Sequence, residues 1–296
     1  MSPDPALLHE KDQKMKITAK LAAVGLCALL ASSVTFAQGG FSPQELSIEE
    51  VRDNIYVIRS GGSGNVTVLV SSDGIALIDD KFEMDHDGIM ALVSSVTDQP
   101  VRYVINTHLH DDHTGGNARM QAIDAEVIAS ENARRILAET RGTGLPNITL
   151  DDYLRIYLGD MPIDLYYFGR GHTDGDIVIH LPEERIVVMG DLFALWGPYL
   201  HLIHYGAGGS LRDWSRTLER ALQLDFDTVI PGHSGVTDRA MMEGYLAETI
   251  RIQDMVRAMN RAGRSREDIQ AMLEMEFGWS EFMINFGLDG AITEMQ

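Results

Sequence analysis

Residues His108-Leu109-His110-Asp111-Asp112-His113 place five metal-capable side chains in six positions, directly after the apolar run Val101-Arg102-Tyr103-Val104-Ile105-Asn106. Imidazole nitrogens and carboxylate oxygens at this density suit a divalent ion such as zinc, held where a strand ends. On an extended end side chains alternate, so His108 and His110 point one way. A turn then brings Asp112 and His113 round as a second pair. The competing reading is a polar loop of solvated or capping histidines, which has no need of three histidines and two aspartates in one turn.

Three further candidates lie downstream. His172 falls in Gly169-Arg170-Gly171-His172-Thr173-Asp174-Gly175-Asp176, ahead of the apolar run Ile177-Val178-Ile179-His180-Leu181. Asp191 follows Ile186-Val187-Val188-Met189-Gly190, and His233 closes Thr228-Val229-Ile230-Pro231-Gly232. Each sits in a glycine-containing turn beside a strand-like run. Taken singly, His172 reads equally well as a turn histidine and Asp191 as a helix cap.

In that order HLHDDH, GHTDGD, MGD and PGH resemble the motifs of the metallo-β-lactamase-fold hydrolase superfamily, over about Asn54 to His233. The resemblance implies an α/β fold, an αββα sandwich with two sheets face to face between outer helices and metals at the edge where strand ends converge. Carried over residue by residue, it implies one zinc on His108, His110 and His172, a second on Asp112, His113 and His233, and Asp191 bridging the two. Leu109 and Asp111 fill the variable positions. Iron or manganese would suit a similar donor set. Asp79, in Leu77-Ile78-Asp79, matches a family aspartate near the site and is a candidate to orient a ligand histidine from behind; a strand-end turn residue is the alternative.

Two zinc ions a short distance apart can share a hydroxide whose pKa falls towards neutrality, one ion polarising a carbonyl while the other receives the leaving group's charge. The expected activity is hydrolysis of a small carbonyl substrate, with Asp112 the catalytic residue that binds one metal and orients the hydroxide. The zinc β-lactamases of this fold often carry cysteine where this chain has Asp191, whereas the hydroxyacylglutathione hydrolases and lactonases it also resembles carry aspartate. The readings are therefore a β-lactamase, a lactonase or thioesterase of the glyoxalase-II-like branch, and, from a different class, a non-catalytic metal-binding periplasmic module. A structural site is closed and needs no open position for water, so seven candidate ligands speak against the last. His86, His180, His201 and His204 lie outside the matched pattern. His201 and His204, with Trp196, Tyr199 and Tyr205, occupy the glycine- and aromatic-rich loop after Asp191 and are candidates to line the substrate pocket.

The elements that must hold these residues alternate from Asn54 onward. Short β-rich runs are Ile55–Ile58, Val66–Val70, Ile75–Ile78 and Glu126–Ala129, and helices are expected over about 84–96, 116–122, 131–140, 210–222, 238–261 and 266–276. Ser210-Leu211-Arg212-Asp213 has capping-box-like spacing. Met241, Met242, Met255 and Met259 read as packing. The turn-rich segment Arg141–Asn147 divides a half carrying HLHDDH from a half carrying the other ligands. The tail beyond Gly278 carries no clear signal.

Composition sets the address and excludes some partners. Met15-Lys16-Ile17-Thr18-Ala19-Lys20 and the apolar stretch to Ala31 read as a secretory signal cut after Ala37, with Met15 as an alternative start. Residues 1–37 are thus a signal region and 38–296 the hydrolase domain, periplasmic or secreted, with no stable membrane association after cleavage. Cys27 is the only cysteine, so no disulfide is available from Gln38 onward. From that point 20 basic side chains face 41 acidic ones, a surface that disfavours nucleic acid and polyanionic substrates. Among the basic residues from Gln38 onward, Lys81 is the only lysine.

Overall fold

The computed structural model describes residues 45–195 and 201–296. The expected signal region, Trp196 and Tyr199 lie outside these residues. Among them two sheets form. The first runs β1 (Ser47–Arg52), β2 (Ile55–Arg59), β3 (Val66–Ser71), β4 (Gly74–Ile78), β5 (Val101–Ile105), β6 (Glu126–Ser130) and β7 (Ile148–Leu150), in that spatial order. The second orders β13 (Thr237–Asp238), β12 (Thr228–Ile230), β11 (Ile186–Val188), β10 (Val178–Leu181), β9 (Met161–Tyr166) and β8 (Tyr153–Leu158). The turn-rich division at Arg141–Asn147 falls just before the chain passes from one sheet to the other.

Residue alternation along the strands explains the layering. Ala76 and Ile78 of β4 point into the space between the sheets, while Ile75 and Leu77 point outward. Ile186 and Val188 of β11 likewise face inward and Val187 outward. The inner set, with Leu69, Ile105, Ile128, Leu165 and Ile179, forms one core between the sheets. Outside the first sheet pack α1 (His86–Val96) and α3 (Asn117–Gln121), through Ile89, Val93 and Met120. Outside the second lie α5 (Leu211–Ala221), α6 (Arg239–Arg261), α7 (Arg266–Phe277) and α8 (Glu281–Glu294). The short α2 (Asp111–Thr114) and the helix α4 (Glu131–Thr140) complete the set on the first-sheet side of the chain. This is the αββα sandwich.

Parallel pairing puts strand ends together. β4 pairs parallel with β5, and β11 with β12. Their C-terminal ends lead directly into Asp79, His108, Asp191 and His233 respectively, each within a few residues of its strand. No helix among the described residues is long and apolar enough to cross a membrane.

The expected helices are found with ends shifted by a residue or two, as hydrogen bonds rather than pattern set them. Three departures have physical causes. The capping box at Ser210 is half formed: Ser210 Oγ accepts from Asp213 N at 3.0 Å, but the Asp213 carboxylate turns away to Arg170. Of the methionine stripe, Met242 is buried and Met255 and Met259 half-buried, while Met241 is exposed. The tail beyond Gly278 is ordered as α8, whose Met283, Ile284, Leu288 and Ala291 join the outer core.

Trp214 of α5 ties this outer layer to the strand ends. It is fully buried, and its Nε1–H donates to the Leu192 carbonyl at 2.9 Å, next to Asp191. Trp214→Phe would leave that buried carbonyl without its donor, a cost of about 1–3 kcal/mol. Urea unfolding should show a lower midpoint at unchanged slope.

Candidate metal centre

The strand ends bring all seven sequence-expected ligands into two adjoining groups, His108, His110, His172 with Asp191, and Asp112, His113 with His233. In the first, His110 Nδ1 lies 3.1 Å from His108 Nε2 and 2.9 Å from His172 Nε2, and His172 Nε2 is 3.6 Å from Asp191 Oδ2. In the second, His113 Nε2 lies 3.4 Å from His233 Nε2 and 3.5 Å from Asp112 Oδ2. Asp191 Oδ1 completes it, 3.4 Å from His113 Nε2 and 3.3 Å from His233 Nε2. Asp191 thus turns one oxygen to each group. Gly232 makes this approach possible, since a Cβ there would overlap Asp191 Oδ1.

Whether these contacts are hydrogen bonds or ligand sets is decided by the other ring nitrogens. His113 Nδ1–H donates to Asp79 Oδ2 at 2.7 Å and His172 Nδ1–H to the Leu202 carbonyl at 2.5 Å. Thr107 Oγ1–H donates to Asp79 Oδ2 at 2.8 Å, so its oxygen accepts from His108 Nδ1–H at 3.1 Å. The outer nitrogens of these three imidazoles are thus engaged as donors, which leaves Nε2 of each as the nitrogen available to a cation. Lone pairs aimed at one another about 3 Å apart, beside carboxylate oxygens, fit the edges of a tetrahedron around an ion with bonds of about 2.0–2.1 Å. Asp191 Oδ1 is buried, and the groups that face it are the imidazole nitrogens of His113 and His233, a setting that suits a ligand oxygen. The residues fit divalent metal.

The electrostatics of the two groups differ. Burial, reinforced by neighbouring histidines, holds His108 and His110 well below the usual imidazole range, in the neutral form that ligates. Burial would lower His113 as well, but Asp112, Asp79 and Asp191 outweigh it and push it up to about 10. That second group is a place where positive charge is favoured.

Asp79 is the hub behind both groups. Its Oδ1 accepts from Thr107 N at 2.7 Å while its Oδ2 takes Thr107 Oγ1 and His113 Nδ1. It adopts a left-handed backbone (φ 65°), a region that aspartate enters more readily than most side chains. Asp112 is held differently: Gly64 N–H donates to Asp112 Oδ2 at 3.2 Å. Asp112 and His110 are half-buried while the other five ligands are buried, so the centre opens on their side.

Around that opening the loop residues divide. His204 is half-buried beside the centre, its Nδ1 2.8 Å from His110 Nε2, and helps line a cleft of about 320 Å³ with Leu109, His110, Asp111, Leu137, Thr140 and Arg141. His201, expected at the pocket, is instead fully buried in the outer core. Its ring stacks on Tyr245 at 4.3 Å and its Nε2–H donates to Thr249 Oγ1 at 2.7 Å, because α6 offers an aromatic face and an acceptor. Tyr205 is also turned away, donating to Glu294 at 3.0 Å. Thr107 and Gly64 were not singled out in the sequence: one falls between the apolar run and the histidine cluster, the other in a glycine-serine loop more than 40 positions from the residue it supports.

Comparison with known proteins agrees with this geometry. The family model described as Lactamase_B, Metallo-beta-lactamase superfamily, matches residues 59–233, from the end of β2 to the last ligand candidate. The Metallo-beta-lactamase type 2 of Bacillus cereus is 28% identical over 212 residues, 67% of this chain and 80% of that protein. That of Elizabethkingia meningoseptica is 26% identical over 263 residues, 84% of this chain and 99% of the other. Among solved structures, a metallo-beta-lactamase from Pontibacter korlensis superposes with a TM-score of 0.63 at 23% identity, covering 69% of this chain and 99% of that one. The DIM-1 metallo-beta-lactamase gives 0.62 at 24% identity, covering 70% and 98%. With the sandwich, the converging ligand groups and the family match in agreement, the chain belongs to the metallo-beta-lactamase superfamily and is a metal-dependent hydrolase.

Proposed function

We propose that residues 38–296 form an exported dinuclear zinc hydrolase acting on a small carbonyl substrate. The observation that carries the dinuclear reading is Asp191, whose two oxygens face the two groups separately. His108, His110 and His172 would hold one ion, Asp112, His113 and His233 the other, with Asp191 between them. Bound there, two zinc ions supply Lewis acidity towards the carbonyl and a water of near-neutral pKa. Iron or manganese would suit the same donors.

The protein's own groups do the positioning. Asp112 is the ligand carboxylate on the open side, and Gly64 N–H fixes its Oδ2, leaving the group able to orient the attacking water and hold its proton. Asp79 keeps His113 and, through Thr107, His108 in the tautomers that present Nε2 inward. The buried strand ends beneath exclude bulk water from the remaining ligands.

A β-lactam is the first substrate to test, because the relatives named above are metallo-beta-lactamases. A lactone or thioester is the second, favoured by an aspartate rather than a cysteine between the two groups. Export rests on the basic start and apolar stretch ahead of Ala37.

The test is hydrolysis of a chromogenic cephalosporin, and of a panel of lactones and thioesters, by zinc-loaded protein with and without chelator. Turnover that the chelator abolishes on at least one class supports the proposal; chelator-insensitive turnover overturns it. Asp191→Ala is expected to lower bound metal and activity together, the latter by about 100-fold or more, and full activity would contradict its bridging role. Asp79→Asn, which turns an amide N–H₂ towards groups that need acceptors, should weaken metal binding by roughly 10- to 100-fold in a competition titration.

A further inference from the structure

The open side of the centre continues into a row of rings supplied by α8, a helix beyond the residues that match the family. His204 stacks on His110 with centroids 5.0 Å apart. Phe286 lies 4.7 Å beyond His204, and Phe282 stacks on Phe286 at 5.5 Å. Phe282 is 61% exposed and Phe286 36%, two large aromatic faces left to solvent, with Phe286 joined to His110 through the ring of His204.

The row is built rather than incidental. Phe282 and Phe286 sit four residues apart on one face of α8, while the opposite face carries Met283, Ile284 and Leu288 into the core. Gly290 lets the helix close on Tyr205, since a Cβ there would overlap that ring. Glu294 then locks the helix end, accepting from Tyr205 Oη at 3.0 Å, Arg212 N at 3.1 Å and Ser210 Oγ at 2.5 Å. These contacts fix Phe286 against His204.

We infer that Phe286 and Phe282 seat an uncharged aryl or extended alkyl arm of the substrate whose carbonyl sits at the metal centre; this rests on the hydrolase reading above. Continuity of the rings with His110 is what assigns the occupant. A ledge that begins beside the candidate ligands on the open side is reached by a substrate bound there, and stacked phenyl rings reward apolar area and offer no partner to an anionic arm. Leu109 and Leu137, which share the cleft with His204, extend the same chemistry.

The test uses the zinc-loaded full chain and the Phe282→Ala/Phe286→Ala double variant, whose exposed positions leave the core intact; Phe286→Leu is the control that keeps apolar bulk. Binding of 4-phenylbutyrate and of acetate is measured by calorimetry, and kcat/KM for paired phenylacetyl and acetyl thioesters in parallel. Wild type should prefer the aryl member of each pair by about tenfold or more, the double variant should lose most of that ratio, and the leucine variant should keep part of it. Equal ratios in wild type and double variant overturn the inference. So does conversion of a dimer to a monomer at unchanged ratio, which would assign the ledge to contact between copies. Aryl preference in calorimetry without turnover of any carbonyl substrate would sink the hydrolase reading and leave the ledge standing; turnover without aryl preference would do the reverse.

Discussion

The structure depends on lone pairs that face one another. Imidazole nitrogens converge on each other and on carboxylate oxygens, and in three of the five candidate ligand histidines the outer nitrogen is committed to an acceptor. A cation at each group would be met by several of these nitrogens and oxygens at once. Asp79 is where the constraint is imposed, since its carboxylate fixes His113 directly and His108 through the Thr107 hydroxyl. One buried aspartate in a left-handed turn thereby sets the orientation of one histidine in each group.

Holding that arrangement is the work of the sandwich. Each sheet contributes strand ends on one side, and the parallel pairs β4 with β5 and β11 with β12 bring those ends into register. The loops between are short and stapled. Asn65 N–H reaches the Gly232 carbonyl at 2.7 Å, and its side-chain amide donates to the Pro231 and Ser234 carbonyls. The loop after β2, from the first sheet, is thus fastened to the loop that carries His233, from the second. A core of aliphatic residues between the sheets supplies the rigidity that metal ligands require, and with no cysteine after Cys27 that core is unassisted by disulfides.

Much of this was legible in the sequence because the informative patterns are local. A six-residue metal motif after a strand-like run, glycine turns next to further runs, and helices with ordinary periodicity all declare themselves within a short window. What stayed hidden depends on distant partners. The helix α8 carries Gly287 and Gly290 in its interior, which read as breakers until the Tyr205 ring is seen to need the space at Gly290. His201 and His204 stand three positions apart in the same loop, and nothing local separates them. One is drawn into the core by Tyr245 and Thr249, the other left at the mouth by His110 and Phe286. Ser210 shows the same limit, since a capping pattern competes with an arginine more than forty residues away.

Lys81 also becomes intelligible at this level. From Gln38 onward the chain uses arginine everywhere else, yet position 81 is a lysine whose side chain is fully buried. Its Nζ donates to Ser60 Oγ at 3.2 Å, Ser63 Oγ at 3.1 Å and the Gly64 carbonyl, three acceptors for three ammonium protons. Burial lowers its pKa to about 8, against the pull of Asp85, Asp112 and Asp79. A guanidinium brings five donors on a rigid plane, two more than these acceptors serve, and the surplus would be buried unpaired. The ammonium gathers the loop whose next N–H, that of Gly64, holds Asp112. Position 81 therefore suits lysine's compact, three-donor head, which shapes the backbone behind a candidate ligand carboxylate.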